Sequence, residues 1–205
     1  MTKLDSLNSF SELETERLIL RRMKKSDADD MFEYARNEEL TKYLLWRPHP
    51  NRQYTYTYLS SVQKYYRNGS YFDYAVVLKS ENKMIGTCGF THVHAEHNSA
   101  EIGYVINPAY QNSGYATEAA LALLRFGFCN LGFNRIEARY MDGNLASRRV
   151  MDKLGMKYEG MQRALMLVKG RYVDICVCAM LEREFTARYG AEPVKVVTQR
   201  TSIWQ

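Results

Sequence analysis

The chain has 205 residues, a length typical of one domain. Hydrophobic residues make up 46% and charged residues 25% of it, which excludes a disordered or collagen-like protein. The net charge of +5 is compatible with an anionic small-molecule ligand or a nucleic acid and requires neither.

Cysteine content and hydropathy indicate the cellular compartment in which the protein is expected. Four cysteines are too few for a disulfide scaffold, and the N-terminal residues lack the apolar core of a secretion signal. No apolar run is long enough to cross a bilayer. We therefore expect a cytoplasmic protein with neither DNA nor a membrane as its partner.

The first half of the chain predicts one strand, two helices and a block of three strands, in that order. The strand is the apolar run 17–21, and the first helix begins at Ser26, which has the form of an N-cap. Two prolines place 46–52 in a loop before the second helix. That helix and the three β-branched and aromatic strands cover residues 55–67, 72–78, 84–91 and 101–106.

The second half of the chain predicts a long helix, a strand, a short helix and two more strands. The long helix, 114–130, has small and apolar residues on several faces and should be substantially buried. The elements that follow it cover residues 135–140, 145–154, 156–163 and 172–181. The complete order, β-α-α-β-β-β-α-β-α-β-β, indicates an α/β (α+β) fold with a mixed sheet of about seven strands.

One segment joins a strand to the long helix through a turn that contains glycine. Pro108 ends the strand because it cannot donate to a ladder, and the helix begins at Gly114. Such a turn directs backbone N–H groups and the positive end of the helix dipole at one point, as in pyrophosphate sites. Gly114 would let the backbone approach an anion closely. A purely structural turn is the alternative.

These motifs resemble those of the GNAT superfamily of acyl-CoA-dependent N-acetyltransferases, and within it the ribosomal-protein N-terminal (alanine/serine) acetyltransferases. The superfamily loop (Gln/Arg)-x-x-Gly-x-(Gly/Ala) is matched by Gln111, Gly114 and Ala116. The subgroup has three further motifs, namely Gly-Tyr-Ala-Thr-Glu-Ala, Asn-x-x-Ser and Lys-Leu-Gly-(Phe/Met). They are matched by residues 114–119, 144–147 and 153–156.

The resemblance covers about residues 13–185, which leaves 1–12 and 186–205 as N-terminal and C-terminal extensions. It implies a strongly twisted sheet with flanking helices whose central strands 4 and 5 splay apart to hold acetyl-CoA. It also implies a set of co-substrate contacts, in which Asn144 could instead only cap its own helix. The set is Val105, Ile106, Gln111, Asn112, Ser113, Gly114, Tyr115, Ala116, Thr117 and Asn144.

Amine acetylation needs a base for the amine proton and a group that stabilises the departing thiolate. The resemblance implies Glu101 as the base, acting through ordered water, and a carboxylate in a salt bridge is the alternative. Many superfamily members carry a tyrosine acid seven residues after the asparagine, but Met151 stands there and cannot donate a proton. The subgroup indicates Ser147 instead, whose hydroxyl could also merely satisfy its own helix.

The sequence gives fewer candidates for residues that contact the acceptor amine. Trp46, His92 and Tyr104 are candidate acceptor contacts, and core packing is an equal alternative for Trp46. His92 and His94 would share one strand face, but no acidic or cysteine ligand has a matching spacing. We therefore expect no metal.

Together these features predict an N-acetyltransferase that moves an acetyl group from acetyl-CoA to a primary amine by direct transfer in a ternary complex. The acceptor could be a protein N-terminus or a small molecule such as an antibiotic, polyamine or amino sugar, and a homodimer is compatible with the chain. A catalytically silent acyl-CoA-binding module is the alternative, with Met151 as a sign of lost chemistry. A dinucleotide-binding or P-loop protein is disfavoured because the required glycine and lysine patterns are absent from the sequence.

Overall fold

The computed structural model of the protein describes Leu7 and residues 10–198, and within that part the chain forms one mixed sheet with helices on both faces. The nine strands of this part are β1 (Phe10–Glu14), β2 (Leu18–Arg21), β3 (Phe72–Leu78), β4 (Lys83–His94), β5 (Ser99–Ile106), β6 (Arg135–Met141), β7 (Lys157–Val168), β8 (Arg171–Leu181) and β9 (Val196–Thr198). Its α-helices are α1 (Ala28–Ala35), α2 (Glu38–Thr41), α3 (Arg52–Arg67), α4 (Tyr115–Arg125), α5 (Leu145–Leu154) and α6 (Glu182–Tyr189).

The sheet has the strand order β7-β8-β6-β5-β4-β3-β2-β1-β9. Its pairs are antiparallel except for the central pair β5–β6, which is parallel. The predicted mixed α/β fold is therefore confirmed, and all seven predicted strands are present as β2 to β8. Strands β1 and β9 pair with each other at one edge and widen the sheet beyond the seven predicted strands.

Two apolar cores lie on opposite faces of the sheet, because side chains alternate along a strand. On β3, Tyr74 and Val76 contribute to the core beneath α4 and α5, whereas Ala75 and Val77 contribute to the core beneath α1 and α3. Helix α4 continues directly as a π-helical turn over Phe126–Asn130. The predicted helix 114–130 is therefore continuous, and its final turn is wider than an α-helical one. Among the described residues, no helix combines the length and the apolar character needed to cross a membrane.

Two predicted details differ from the structure at helix starts. The prediction of Ser26 as the N-cap of the first helix is wrong, because a 3-10 turn over Lys25–Asp27 precedes α1. Asp27 shapes this turn: its carboxylate pairs with the Arg21 guanidinium at 2.8 Å and accepts a hydrogen bond from a nearby backbone amide. Helix α3 begins earlier than predicted, because the side chain of Asn51 caps it.

Strands β5 and β6 part in the middle of the sheet, as predicted for the two central strands. Their parallel pairing joins residues 99–102 to residues 135–138 and then stops. Both strands continue, to Ile106 and to Met141, without further pairing between them. The other side of β5 stays paired with β4 as far as Ile106. The gap therefore exposes one edge of β5 and leaves the rest of the sheet intact.

The glycine at position 86 allows β4 to pass close to β5 beside this gap. A Cβ added to Gly86 would lie 2.0 Å from the carbonyl oxygen of Val105, a backbone atom that cannot rotate away. We expect Gly86→Ala to lower the free energy of unfolding by about 2 kcal/mol or more, measured by urea denaturation. Gly103→Ala is the control, since its Cβ would meet only a methyl group of Thr91 at 2.9 Å. Equal losses in the two variants would contradict this account of Gly86.

Candidate active site

A cleft of about 550 Å³ lies where β5 and β6 part. The end of β5, the loop that follows it and the first turns of α4 and α5 line one part of the cleft, and residues in and around α2 line another. The structure brings together in its lining most of the residues predicted to contact the co-substrate, namely Val105, Ile106, Gln111, Asn112, Gly114, Tyr115, Ala116, Thr117 and Asn144. Tyr104 and Ser147 also line it, whereas Ser113, Glu101, Trp46 and His92 do not.

The loop before α4 is shaped by two residues with left-handed backbone conformation, Asn112 at φ 62° and Gly114 at φ 85°. Gly114 is the N-cap of α4, and the amides that follow it have no acceptor within the helix. Because Tyr115, Ala116 and Thr117 line the cleft, the positive end of the helix dipole is directed at it. This arrangement is suited to binding a phosphate or pyrophosphate group.

Two amide side chains hold the loop in this conformation. Asn107 is buried; its Nδ2 donates to a carboxylate oxygen of Glu33 in α1 at 2.9 Å, and its Oδ1 accepts from the Ala109 amide at 3.1 Å. The Nε2 of Gln111 donates to the carbonyl of Ile106 at 2.9 Å. The predicted contact residue Gln111 therefore braces the loop through its side chain. No pattern in the sequence indicated that Asn107 anchors the loop.

An ion pair between the start of the sheet and α4 was also missed. Arg17, just before β2, donates from Nε to Glu118 at 2.7 Å and from Nη1 to the carbonyl of Ser113 at 2.9 Å. Its guanidinium lies over the ring of Tyr115, 4.5 Å from the centroid. Partial burial alone would raise the pKa of Glu118, but hydrogen bonds from Thr15 and Arg17 outweigh it and lower that pKa. Glu118 lies in the matched motif 114–119 and Arg17 at the start of the predicted strand 17–21, so their positions, though not their pairing, were visible in the sequence.

The side-chain hydroxyls of a tyrosine on β5 and a serine on α5 lie within hydrogen-bond distance and connect the two elements. The Tyr104 hydroxyl donates to the carbonyl of Ser147 at 3.0 Å and lies 3.2 Å from the Ser147 hydroxyl. Burial raises the pKa of Tyr104, so its hydroxyl stays protonated at neutral pH. The Ser147 amide in turn donates to Oδ1 of Asn144 at 3.2 Å, which makes Asn144 the N-cap of α5. Asn144 thus caps its own helix and also lines the cleft.

Glu101 lies on the sheet face opposite α4, two residues before the point where β5 loses its pairing with β6. Its carboxylate accepts a hydrogen bond from the Thr91 hydroxyl at 2.9 Å and lies 3.2 Å from Nε of Arg139. Nδ1 of His92 is 3.6 Å from the same carboxylate. The alternative of a salt-bridged carboxylate therefore describes this geometry, and a base role for Glu101 stays a prediction.

Trp46 and Met151 lie away from the cleft lining. Trp46 packs against the core beneath α1 and α3, with its ring centroid 5.3 Å from that of His49. Met151 is fully buried in the core beneath α5. In residues 10–198 and at Leu7, no group of three or more His, Cys, Asp and Glu side chains is arranged to hold a metal ion.

Two basic residues of α5, Arg149 and Lys153, line the cleft one helical turn apart. They bring positive charge to the same cavity as the loop amides, a setting that favours anions. Lys153 belongs to the matched motif 153–156, but neither residue was predicted to contact the co-substrate. Their i, i+4 spacing in a helix was the available signal. The adjacent Arg148 instead pairs with Asp152 at 2.8 Å.

Comparisons with known proteins agree with the geometry. The acetyltransferase (GNAT) domain family matches residues 17–157. The uncharacterized N-acetyltransferase p20 of Bacillus licheniformis is 33% identical over 173 residues, which cover 84% of this chain and 97% of that protein. The [ribosomal protein uS5]-alanine N-acetyltransferase of Escherichia coli is 26% identical over 181 residues, which cover 85% of this chain and 92% of that enzyme.

A solved structure supports the same assignment. The structure of an acetyltransferase (GNAT family) from Bacillus anthracis superimposes with a TM-score of 0.75 and 32% sequence identity. The match covers 84% of this chain and 99% of that one. The likeness therefore extends over nearly the whole of the known protein.

The pairing of Glu118 with Arg17 and Thr15 predicts a pH-dependent loss of stability in Glu118→Gln. A carboxyl group whose pKa is lowered by folding stabilises the fold above its unfolded-state pKa, and the stabilisation is lost as the pH falls through its folded-state pKa. We expect Glu118→Gln to reduce the free energy of unfolding by about 1–2 kcal/mol at pH 7 and by progressively less in acid, measured by urea denaturation. The exposed Glu16→Gln is the control, and a loss independent of pH would contradict the role of the Glu118 charge.

Proposed function

Because the chain belongs to the GNAT acetyltransferase family, we propose that it transfers the acetyl group of acetyl-CoA to the α-amine of a protein N-terminus in a ternary complex. One observation carries the proposal: an unpaired strand edge and the N-terminus of a helix border the same cleft. The acceptor class is supported by the relative named as a ribosomal-protein alanine N-acetyltransferase. The family co-substrate supplies the acetyl group as an activated thioester.

The residues of the cleft fit the parts of coenzyme A. Val105 and Ile106 line the cleft. The main-chain groups of Val105 face β4, whereas the N–H groups of Tyr104 and Ile106 face the open edge of β5 and would pair with the pantetheine arm, as another strand would. The amides of residues 112–117 would hold the pyrophosphate. Arg149 and Lys153 would contribute positive charge toward the phosphates. The cavity volume of about 550 Å³ lies in the range of small-molecule sites.

Acetyl transfer forms a C–N bond as the thioester C–S bond breaks, and the chain must move one proton and hold one developing negative charge. Glu101 would take the amine proton through ordered water, from a position next to the gap. The Ser147 hydroxyl would donate a hydrogen bond to the departing sulfur. Tyr104 would position Ser147, since its hydroxyl contacts both the carbonyl and the hydroxyl of that residue.

A silent acyl-CoA-binding module is the second candidate, because Met151 occupies the position of the tyrosine acid in many family members and is fully buried. Release of free thiol from acetyl-CoA in a panel of N-terminal peptides and small amines separates the two. We expect thiol release with peptides that have a free N-terminal alanine or serine, and none with their N-acetylated forms. Binding without turnover across the panel would favour the module, and turnover of small amines alone would reject the protein acceptor.

Substitution of Gly114 tests the anion-binding loop. We expect Gly114→Val to weaken CoA binding about tenfold or more in calorimetry, because a β-branched residue is strained at φ 85° and moves the amides that follow. Gly190→Val is the matched control, since Gly190 has φ 79°, lies outside the cleft lining and has nothing within 4 Å of an added Cβ. Unchanged affinity in Gly114→Val would remove the loop from the binding site.

Substitution of Glu101 tests the base. We expect Glu101→Gln to lower kcat about 100-fold at saturating acetyl-CoA, to leave CoA affinity nearly unchanged and to abolish the acid limb of the pH–rate profile. Glu137→Gln is the control, because Glu137 pairs with the same Arg139 at 2.8 Å. An unaltered pH–rate profile in Glu101→Gln would exclude Glu101 as the base.

A further inference from the structure

Four basic residues from two distant parts of the chain lie together at the end of α2. The loop after α2 contributes Lys42 and Arg47, and the turn between β7 and β8 contributes Lys169 and Arg171, the last of which begins β8. Nζ of Lys169 donates to the carbonyl of Thr41, the last residue of α2, at 2.5 Å. This hydrogen bond places the turn against the end of α2. We call the four residues the basic cluster.

Apolar packing also joins the turn to the end of α2. The ring of Tyr43 packs against a small apolar core, which is formed by Met141, Val168 and Ile175 of strands β6, β7 and β8. The ammonium group of Lys42 lies 5.5 Å from the centroid of the same ring. The basic cluster is therefore supported by packed elements of the fold.

The basic cluster concentrates positive charge without paired carboxylates. Lys42, Arg47 and Arg171 are exposed, and within residues 10–198 none of the four side chains forms an ion pair. The two glutamates of α2 lie in its first turn, at the opposite end of the helix. Burial, and after it the charges of Arg47 and Arg171, lower the pKa of Lys169, which agrees with their closeness. Because cations placed together repel each other, an anion bound among them would be stabilised.

The basic cluster is adjacent to the cleft. Tyr43 and Leu44, which follow Lys42 in the chain, line the cleft. A Cβ added to Gly143 would lie 3.4 Å from the Tyr43 hydroxyl, so this ring lies beside the start of α5, where Asn144 also lines the cleft. A peptide whose N-terminus occupies the gap can leave the cleft past Tyr43. Since an extended peptide advances about 3.3 Å per residue, roughly its third to sixth residues would reach the basic cluster.

The surroundings of the basic cluster favour a peptide as the anion. The phosphates of the co-substrate have their own proposed contacts at the loop before α4 and at Arg149 and Lys153, and no member of the basic cluster lines the cleft. Two exposed leucines lie nearby: Leu45, 61% exposed, in the same loop as two members of the cluster, and Leu145, 62% exposed, in the cleft lining. A peptide offers apolar side chains as well as carboxylates, whereas a nucleic acid backbone offers phosphates.

We propose that Lys42, Arg47, Lys169 and Arg171 bind aspartate or glutamate side chains of the acceptor, which therefore has an acidic segment a few residues after the N-terminus that is acetylated. The inference rests on the proposed function and specifies its acceptor class. Ion pairs at this exposed surface would favour acidic acceptors over neutral ones and would weaken as the salt concentration rises. Lys169 would also hold the end of α2 in place through the Thr41 carbonyl.

Two octapeptide amides with a free N-terminal serine test the basic cluster, Ser-Ala-Glu-Glu-Glu-Glu-Ala-Ala and the same peptide with glutamine in place of glutamate. Their binding is measured by calorimetry on the full-length protein saturated with CoA. We expect the wild-type protein to bind the acidic peptide about tenfold more tightly at low ionic strength, because several exposed ion pairs of modest strength act together. Salt at about 0.5 M should remove most of this preference.

The triple variant Lys42→Gln/Arg47→Gln/Arg171→Gln should reduce the preference to about twofold or less. The matched control is Lys64→Gln/Arg67→Gln/Arg183→Gln, which removes the same charge at three exposed positions outside the cleft lining and should keep the preference. Melting curves verify that each variant is folded. The single variant Arg171→Gln, which should lower the preference about twofold, keeps the test decisive if the triple variant does not fold.

Equal binding of the two peptides by the wild-type protein, or an unchanged preference in the triple variant, would overturn the proposal. So would binding of oligouridylate that the triple variant loses, if the two peptides bind alike, because the basic cluster would then be an RNA site. Thiol release from acetyl-CoA is measured separately. A preference for the acidic peptide without turnover would reject the transferase proposal alone, and turnover without a preference would reject the acidic acceptor alone.

Discussion

The end of pairing between two parallel strands is the constraint on which the rest of the structure depends. Strands β5 and β6 share four paired positions and then separate, while β5 keeps its pairing with β4. Buried main-chain groups need hydrogen-bond partners, so an open edge inside a sheet is a site for a ligand that presents an extended amide backbone. The helix α4 begins at the same place, and its free amides lie beside the polar edge in an arrangement suited to an anion.

Residues of the candidate site lie on both faces of the sheet, and the gap between β5 and β6 connects the two faces. The loop, α4 and α5 lie on one face with the hydroxyls of Tyr104 and Ser147. Glu101 lies on the other, with the core beneath α1 and α3. This separation suits a reaction between two substrates, because each can reach the gap from its own side. The proposed ternary complex is consistent with it.

The supports of the cleft come from distant parts of the chain. Arg17 and Glu118 are 101 residues apart, yet their ion pair joins the start of β2 to the first turn of α4. Asn107 ties the loop to Glu33 across 74 residues. These contacts hold the loop in its left-handed conformation at Gly114. The resemblance of residues 111–119 to a family motif identified the loop itself. A sequence motif does not show which distant residues contact it.

The sequence by itself determined the seven strands β2 to β8, the long central helix and the loop before it, because alternation, helical spacing, proline and glycine are local signals. Tertiary structure alone decided which side chains meet. Asp27 rather than Ser26 shapes the start of α1, since Arg21 of β2 holds its carboxylate. The addition of β9 to the edge formed by β1 depends on register between strands that are far apart in sequence. Register is set by packing of the whole sheet, and no local pattern specifies it.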